Sequence, residues 1–476
     1  MTNEKLTLKS LLENAEGKKL LFLGKEEIFT QKEIDRYLKR YRVTATQNLE
    51  EDVVAVVEHH RLNPVEEDIS NDAYSQKIPL FKLTEFEQLL SEEIDDDALL
   101  MAIKLGNDQE RLVRLLGNEH LTDALFVRLL KLYRFDEEEE DNRQDRDVIM
   151  YTLRRYIDIR PNEEDLLYSY LTLRRLATEA EDPNLLMALT GFPNFTFLIR
   201  GKEKVTLHET IARNPALDDE VIRKLLSLRD AKVNSALAGN ACVSVEVLKN
   251  LLARNDAQIH KALAANPGID NEIFGVLPEK GKEVAALLLI HQPIDAIRLA
   301  QVEKAGMDEQ LFALMGVNES LANDVVVKLL EKENRELLEA LSGNKTLSPE
   351  TLEHIYQKDE EMTFASLARN FSTPGWILRA LYEENTDCPE ILVALAYNPA
   401  VPEKILRELF ARENLEINRG LAANASLPME LLDILKVDTR LQNELAQNEN
   451  LVQSYEQVLN QNKVMPSAKA RRKKKI

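Results

Sequence analysis

From residue 206 onward the apolar residues fall in short stripes that recur. Val221, Ile222, Leu225 and Leu226 take the i, i+1, i+4 and i+5 positions of one helical face; Asp218 stands ahead of them as an N-cap and Asp230 breaks the stripe. A second run, Val233, Ala236, Leu237 and Ala238, leads into Asn240. The same grammar returns with Ser244, Val247, Leu248, Leu251, Leu252 and Asp256, and again with Ser348-Pro349-Glu350 and with Ile405, Leu406, Leu409 and Phe410. One unit therefore predicts a long helix, a turn, a short helix and a turn. Each unit closes on an aliphatic residue, two mostly small residues and an asparagine: Asn214, Asn240, Asn266, Asn318, Asn344, Asn370, Asn398 and Asn424, with Gln292 midway across the one double gap. Every step is 26 residues except that from Asn370 to Asn398, which is 28. A fixed period in this range denotes a stacked repeat array.

Asparagine suits such a position because it tolerates a left-handed helix end, and because its amide can bond the turn and a neighbouring turn. Pro215, Pro267, Pro293 and Pro399 follow it where a helix must stop. The paired small residues Ala236 and Ala238, or Ala262 and Ala264, predict close approach of the short helices. Since every repeat carries its copy, the ladder is read as structural rather than catalytic. LAYNPAVPEKIL and LAANASLPMELL resemble the leucine-rich repeat variant family, over about 205–450. The resemblance implies a right-handed superhelix of alternating α and short 3₁₀ helices. The 26-residue period and the missing second proline of several units predict fuller α turns in the short helices.

The N-terminal stretch has another texture. After a polar lead, GKKLLFLG reads as a buried strand, Lys19 to Leu23; Thr30-Gln-Lys-Glu33 is a capping box opening a helix to about Tyr41. Strands at Arg42–Thr46 and Val53–Val57, a helix Glu66–Gln76, a strand Ile78–Leu83 and a helix capped by Thr84-Glu-Phe-Glu87 complete a small α/β domain with a parallel sheet. GKKLLFLG and IPLFKLTEFEQLL resemble the two ends of a BRCT domain, covering about 17–92. That family binds protein partners, phosphopeptides or DNA ends. Its glycine pair after the first helix is replaced by Tyr41-Arg42, and Phe86 stands nearest to its usual aromatic. Its phosphate-binding hydroxyl is missing beside Gly24, which is flanked by Leu23 and Lys25; Lys77 alone matches its lysine.

The organisation expected is thus a mainly α protein: a BRCT-like α/β domain over 1–92, degenerate helical repeats over 93–205 with an acidic insertion at 135–147, a regular right-handed α-solenoid over 206–450, and a terminal segment 451–476 with a basic tail. LLGNEHLTDALFVRLLKL around Asn118 echoes the ladder phrase, and ALTGFPNFTF near Pro193 is a distorted copy.

Charge and composition narrow the function. A net charge of −21 over 476 residues argues against a general polyanion binder. Two isolated cysteines, Cys242 and Cys388, exclude a disulfide framework or a cysteine zinc site and fit a reducing cytoplasmic setting. No secretory signal and no apolar run long enough for a membrane span is present. His59-His60 is the one histidine pair; placed on a strand, the two would face opposite ways. No phosphate loop, nucleophile elbow or zinc-protease motif occurs, so neither catalysis nor a cofactor is expected.

A stacked array offers an extended concave face for a protein partner. Arg213, His291, Arg369 and Tyr397, each just before a ladder residue, and Trp376, the single tryptophan, are the candidate contact residues. The leading reading is a non-enzymatic scaffold. The alternative is a nucleic-acid-associated replication or repair factor using the BRCT-like domain and the basic run Lys469, Arg471, Arg472, Lys473, Lys474 and Lys475, whose phosphate contacts would be strongly salt-dependent.

Overall fold

The computed structural model describes residues 7–25, 28–136, 142–157, 170–199, 203–332 and 334–453. The chain is mainly helical, with a small parallel sheet near the N-terminus. It divides into two compact units, Met1–Cys242 and Val243–Ile476.

In the first unit, β1 (Lys19–Leu23), β2 (Thr44–Thr46), β3 (Val53–Glu58) and β4 (Leu80–Lys82) lie in the order β2-β1-β3-β4, each neighbouring pair parallel. Helices α1 (Leu8–Glu13), α2 (Gln31–Arg40), α3 (Pro64–Ser75) and α4 (Leu83–Glu93) accompany it, α2 and α3 making the crossovers that parallel strands require. Leu20, Leu21 and Leu23 of β1 are buried, and the Phe22 ring meets Phe86 of α4 edge-on at 5.0 Å. A sheet covered on both faces explains why β1 is a continuous apolar run.

The Thr30/Glu33 capping box forms as expected. The second does not: Thr84 and Glu87 lie inside α4, which starts earlier because Leu83, three residues before Phe86, is itself buried. Glu87 is buried instead and accepts the Ile28 N–H at 3.1 Å. The histidine pair also departs from expectation. β3 ends at Glu58, and in the turn beyond it the His59 and His60 rings lie 4.1 Å apart. Arg42 and Lys77, just past α2 and α3, take left-handed φ values of 55° and 62°, where glycine would fit without strain.

The helices that follow are built directly on this module. Arg111 Nη2 donates to both carboxylate oxygens of Glu33 at 2.8 and 2.6 Å, with both side chains largely buried. Asn118 Nδ2 donates to Ser91 Oγ at 2.8 Å. Of the acidic insertion expected at 135–147, residues 137–141 lie outside the described set. Its end is no loop: Asn142 caps a helix Arg143–Tyr156 that buries Val148, Ile149 and Leu153. The distorted phrase near Pro193 leads into an antiparallel hairpin, β5 (Thr196–Ile199) and β6 (Glu203–Thr206), which the repeat pattern does not predict. Its inward residues Phe197 and Val205 are buried.

In two of the regular repeats the paired helices are nearly equal in length, whereas Ala296–Lys304 has 9 residues and Glu309–Ala313 has 5. Asp219–Ser227 and Ala231–Ala238 have 9 and 8 residues, and Val245–Leu252 and Ala257–Ala265 have 8 and 9. The expected long–short contrast fails in these two because Asp230 and Asp256 do not merely end a stripe. Each caps the helix that follows, its carboxylate accepting two backbone N–H groups. The fuller α turns expected in the second helices are present, although Leu314–Val317 is 3₁₀. Within the second unit these second helices stack from repeat to repeat, Glu361–Arg369 on Pro389–Tyr397 and that on Leu415–Ala423.

Small residues set the stacking distance. A Cβ added to Gly316 would lie 2.5 Å from Ala340 Cβ and 2.8 Å from the Leu341 nitrogen, neither of which can yield without moving backbone. We expect Gly316→Ala to lower the stability of the second unit by about 1–3 kcal/mol. An unchanged urea midpoint would show that the repeats have slack at this contact.

Candidate interaction surface

The ladder residues are buried in every repeat, and within each unit the asparagines share one bonding scheme. The side-chain amide donates to the carbonyl of the preceding ladder residue and usually to the one two residues before that. The side-chain oxygen accepts the N–H two residues on. In the first unit Asn240 Nδ2 donates to Asn214 O at 2.8 Å and Ala212 O at 2.9 Å, and its Oδ1 accepts the Cys242 N–H at 2.9 Å. Asn214 itself donates to Ala177 O, Thr178 O and Ala180 O. In the second unit Asn344 reaches Asn318 O and Gly316 O, Asn370 reaches Asn344 O and Ser342 O, Asn398 reaches Asn370 O and Ala368 O, and Asn424 reaches Asn398 O and Ala396 O, all at 2.8–3.0 Å. Asn318 does the same with Gln292 O and, a residue further back, Leu289 O. Asn266 accepts the Gly268 N–H at 2.8 Å.

The left-handed conformation expected of these asparagines is absent. Asn266, Asn318, Asn370, Asn398 and Asn424 have φ from −72° to −89° and ψ of 115–117°. That extended geometry aims the amide across to the previous turn while its oxygen closes its own turn, a division of labour an acceptor-only or apolar side chain cannot reproduce. Asn448 continues the ladder, donating to Asn424 O and Ala422 O at 2.9 Å, after a step of 24 residues.

Gln292 obeys the donor half of the scheme, with Nε2 bonding Asn266 O at 2.8 Å and Ala264 O at 2.9 Å. Its longer side chain finds a different donor for its oxygen: Arg298 Nη1, at 3.3 Å. Arg298 is itself buried, donating also to Pro293 O, Ile269 O and Asn271 Oδ1 at 2.9 Å, and lying 4.9 Å over the Phe274 ring. Burial pushes its guanidinium pKa down, while Asp295 and Asp270 act the other way.

With the asparagines buried and their amides engaged, what the ladder edge offers outward is the residue on either side of each. Arg369 and Tyr397, just before consecutive ladder positions, come together: the guanidinium sits 4.9 Å over the ring. Phe371, just after Asn370, is 49% exposed and carries the Lys345 ammonium 5.3 Å above its face. Gly343 occupies the position that Arg369 and Tyr397 fill in later repeats, and there a notch of about 440 Å³ is lined by Val317, Ala340, Ser366, Glu336 and Glu339 among others.

The other expected contact residues do not join this row. Arg213 is in the first unit, paired to Glu209 at 2.6 Å. His291 is exposed in the second unit, and among the described residues it makes no ion pair or ring contact. Trp376 is 50% exposed on a first helix, edge-on to Tyr356 at 5.7 Å. Lys469, Arg471, Arg472, Lys473, Lys474 and Lys475 lie outside the described residues.

No family model, curated protein or solved structure matches the chain. Among the described residues no helix is long and apolar enough to cross a membrane, and no group of three or more His, Cys, Asp or Glu is placed to hold a metal ion.

Proposed function

We propose that the protein is a non-enzymatic scaffold: a right-handed α-solenoid of the leucine-rich repeat variant kind, carrying a BRCT-like module, which binds a protein partner along the ladder edge of its second unit. The observation that carries this reading is the pair of cation-capped aromatics in consecutive repeats, Lys345 over Phe371 and Arg369 over Tyr397, beside the Gly343 notch. Each pair presents a broad apolar face with a charge already stacked on it, the composition found where partner side chains become fully desolvated. Fold stability gives no reason to leave Phe371 half exposed.

The BRCT-like module is read as a second protein contact without phosphate recognition. The Gly24 N–H, beside which a phosphate would bind by analogy with that family, donates to Glu66 Oε1 at 3.3 Å. A carboxylate there repels the anion it would have to admit. The nucleic-acid alternative rests on the basic tail and gains no observation from the described residues.

A photo-crosslinking amino acid placed at Phe371 or Tyr397 of the full chain, irradiated in native lysate, tests the reading. Both positions should give the same discrete adduct. The same group at Val437, 83% exposed at the opposite turn of a repeat, should not. Equal, diffuse labelling from all three would remove the ladder edge as the binding surface.

A further inference from the structure

The one irregular step among the sequence-read ladder positions leaves the ladder itself intact. Although Asn398 follows Asn370 by 28 residues, its amide reaches Asn370 O at 3.0 Å and Ala368 O at 2.8 Å, just as in the 26-residue steps. The two extra residues lengthen the first helix of that repeat, Gly375–Glu384, to 10 residues against 8 in Pro349–Tyr356 and Glu403–Phe410, at the end of the repeat opposite the ladder. There a groove of about 800 Å³ opens between Pro389–Tyr397 and the next second helix, Leu415–Ala423. Its lining includes Leu392, Val393 and Ile417, together with the carboxylates of Asp387, Glu390 and Glu416. The one arginine in the lining is held against the groove wall: Arg412 Nη1 donates to Thr386 O at 2.7 Å, and its guanidinium lies 5.7 Å from the Tyr382 ring. Glu416 pairs with Arg419 at 2.9 Å, but Asp387 and Glu390 have no ion pair among the described residues.

We propose that this groove docks the chain's own basic segment, Lys469–Lys475. An apolar floor under unpaired carboxylates suits long cationic side chains, whose methylenes lie on the floor while their heads meet the rim. Within this chain of net charge −21, Lys469, Arg471, Arg472, Lys473, Lys474 and Lys475 are the concentrated source of such side chains. Reach favours it as well. The groove belongs to the repeats of Asn398 and Asn424, and the described chain leaves from the next, that of Asn448. Stacked helices advance by roughly 8–10 Å each, so the groove lies within a few tens of ångströms of Gln453. Residues 454–468 span about 50 Å when extended. Tethering at that range gives an effective concentration on the order of millimolar, which makes a modest intrinsic affinity sufficient. The proposal does not depend on the partner reading, because the groove and the ladder row occupy opposite turns of the repeat.

Zero-length carbodiimide coupling of the full-length protein tests it, since the reagent joins a lysine amine to a carboxylate only where the two touch. The expected products are amides from Lys473–Lys475 to Asp387 or Glu390 within one chain, with a yield that does not change on dilution. The exposed, shape-preserving double variant Asp387→Asn/Glu390→Gln should lose them several-fold without a change in melting temperature. High salt should suppress them, because it screens the attraction. Three results would overturn the proposal: coupling of the tail spread evenly over the many other carboxylates, no coupling of the tail at all, or a yield that rises with protein concentration, which would assign the groove to a second copy's tail.

Discussion

Asn370→Asp lowers the stability of the second unit by about 2–4 kcal/mol at neutral pH. The substitution keeps the shape of the side chain and the acceptor for the Ser372 N–H, but replaces the amide that serves Asn344 O and Ser342 O with a second oxygen. Two buried carbonyls lose their donor and a buried carboxylate faces them. Burial and the facing carbonyls raise the folded-state pKa of the new carboxyl above its unfolded value. Its protonated form is therefore the better tolerated one, and the deficit shrinks as the pH falls through that raised pKa and is fully felt above it. Asn370→Ala should cost a similar amount with no such pH dependence. Urea titrations at pH 5 and pH 7.5 separate the two. Loss should remain local, because stacked repeats share stability with their neighbours.

Arg298→Ala is expected to cost more, about 3–5 kcal/mol, as for removal of one member of a buried charged network. The guanidinium satisfies Gln292 Oε1, Pro293 O, Ile269 O and Asn271 Oδ1 at once, so truncation strands several buried acceptors and uncovers the Phe274 ring. Arg298→Lys should recover little, since one ammonium on a flexible stem cannot reach acceptors arranged for a planar fork. A melting temperature equal to wild type in the alanine variant would mean that water replaces the guanidinium at no cost.

Much of this was legible in the chain because it repeats. A 26-residue period marks the ladder positions, and short apolar runs between capped helices give the parallel sheet strand by strand. What periodicity could not convey is direction. Asparagine at a helix end reads equally well as a left-handed cap or as a cross-turn donor, and only the extended ψ at Asn370 and its fellows separates them. Asn448 escaped because its step of 24 breaks the period, and the β5–β6 hairpin because Phe197 and Val205 sit where a repeat was expected. Of the candidate contacts, Arg369 and Tyr397 were visible as the residues before ladder positions. Phe371, just after one, and Lys345 above it were not, since their pairing spans 26 residues and needs the stacking of adjacent turns. Arg298 carried a weak signal: the only glutamine in an asparagine series implies some compensating donor nearby.

Asn370 and Phe371 are neighbours in sequence to which opposite duties are assigned, the first buried at 2% exposure and the second 49% exposed. The most direct measurement compares Asn370→Ala with Phe371→Ala, scoring for each the melting temperature and the proteins retained from native lysate by the immobilised full chain below that temperature. Asn370→Ala should melt several degrees lower and retain the same proteins as wild type. Phe371→Ala should melt like wild type and lose them. If Phe371→Ala retains every protein that wild type does, or if Asn370→Ala melts unchanged, the division between a buried structural ladder and a working edge beside it is wrong.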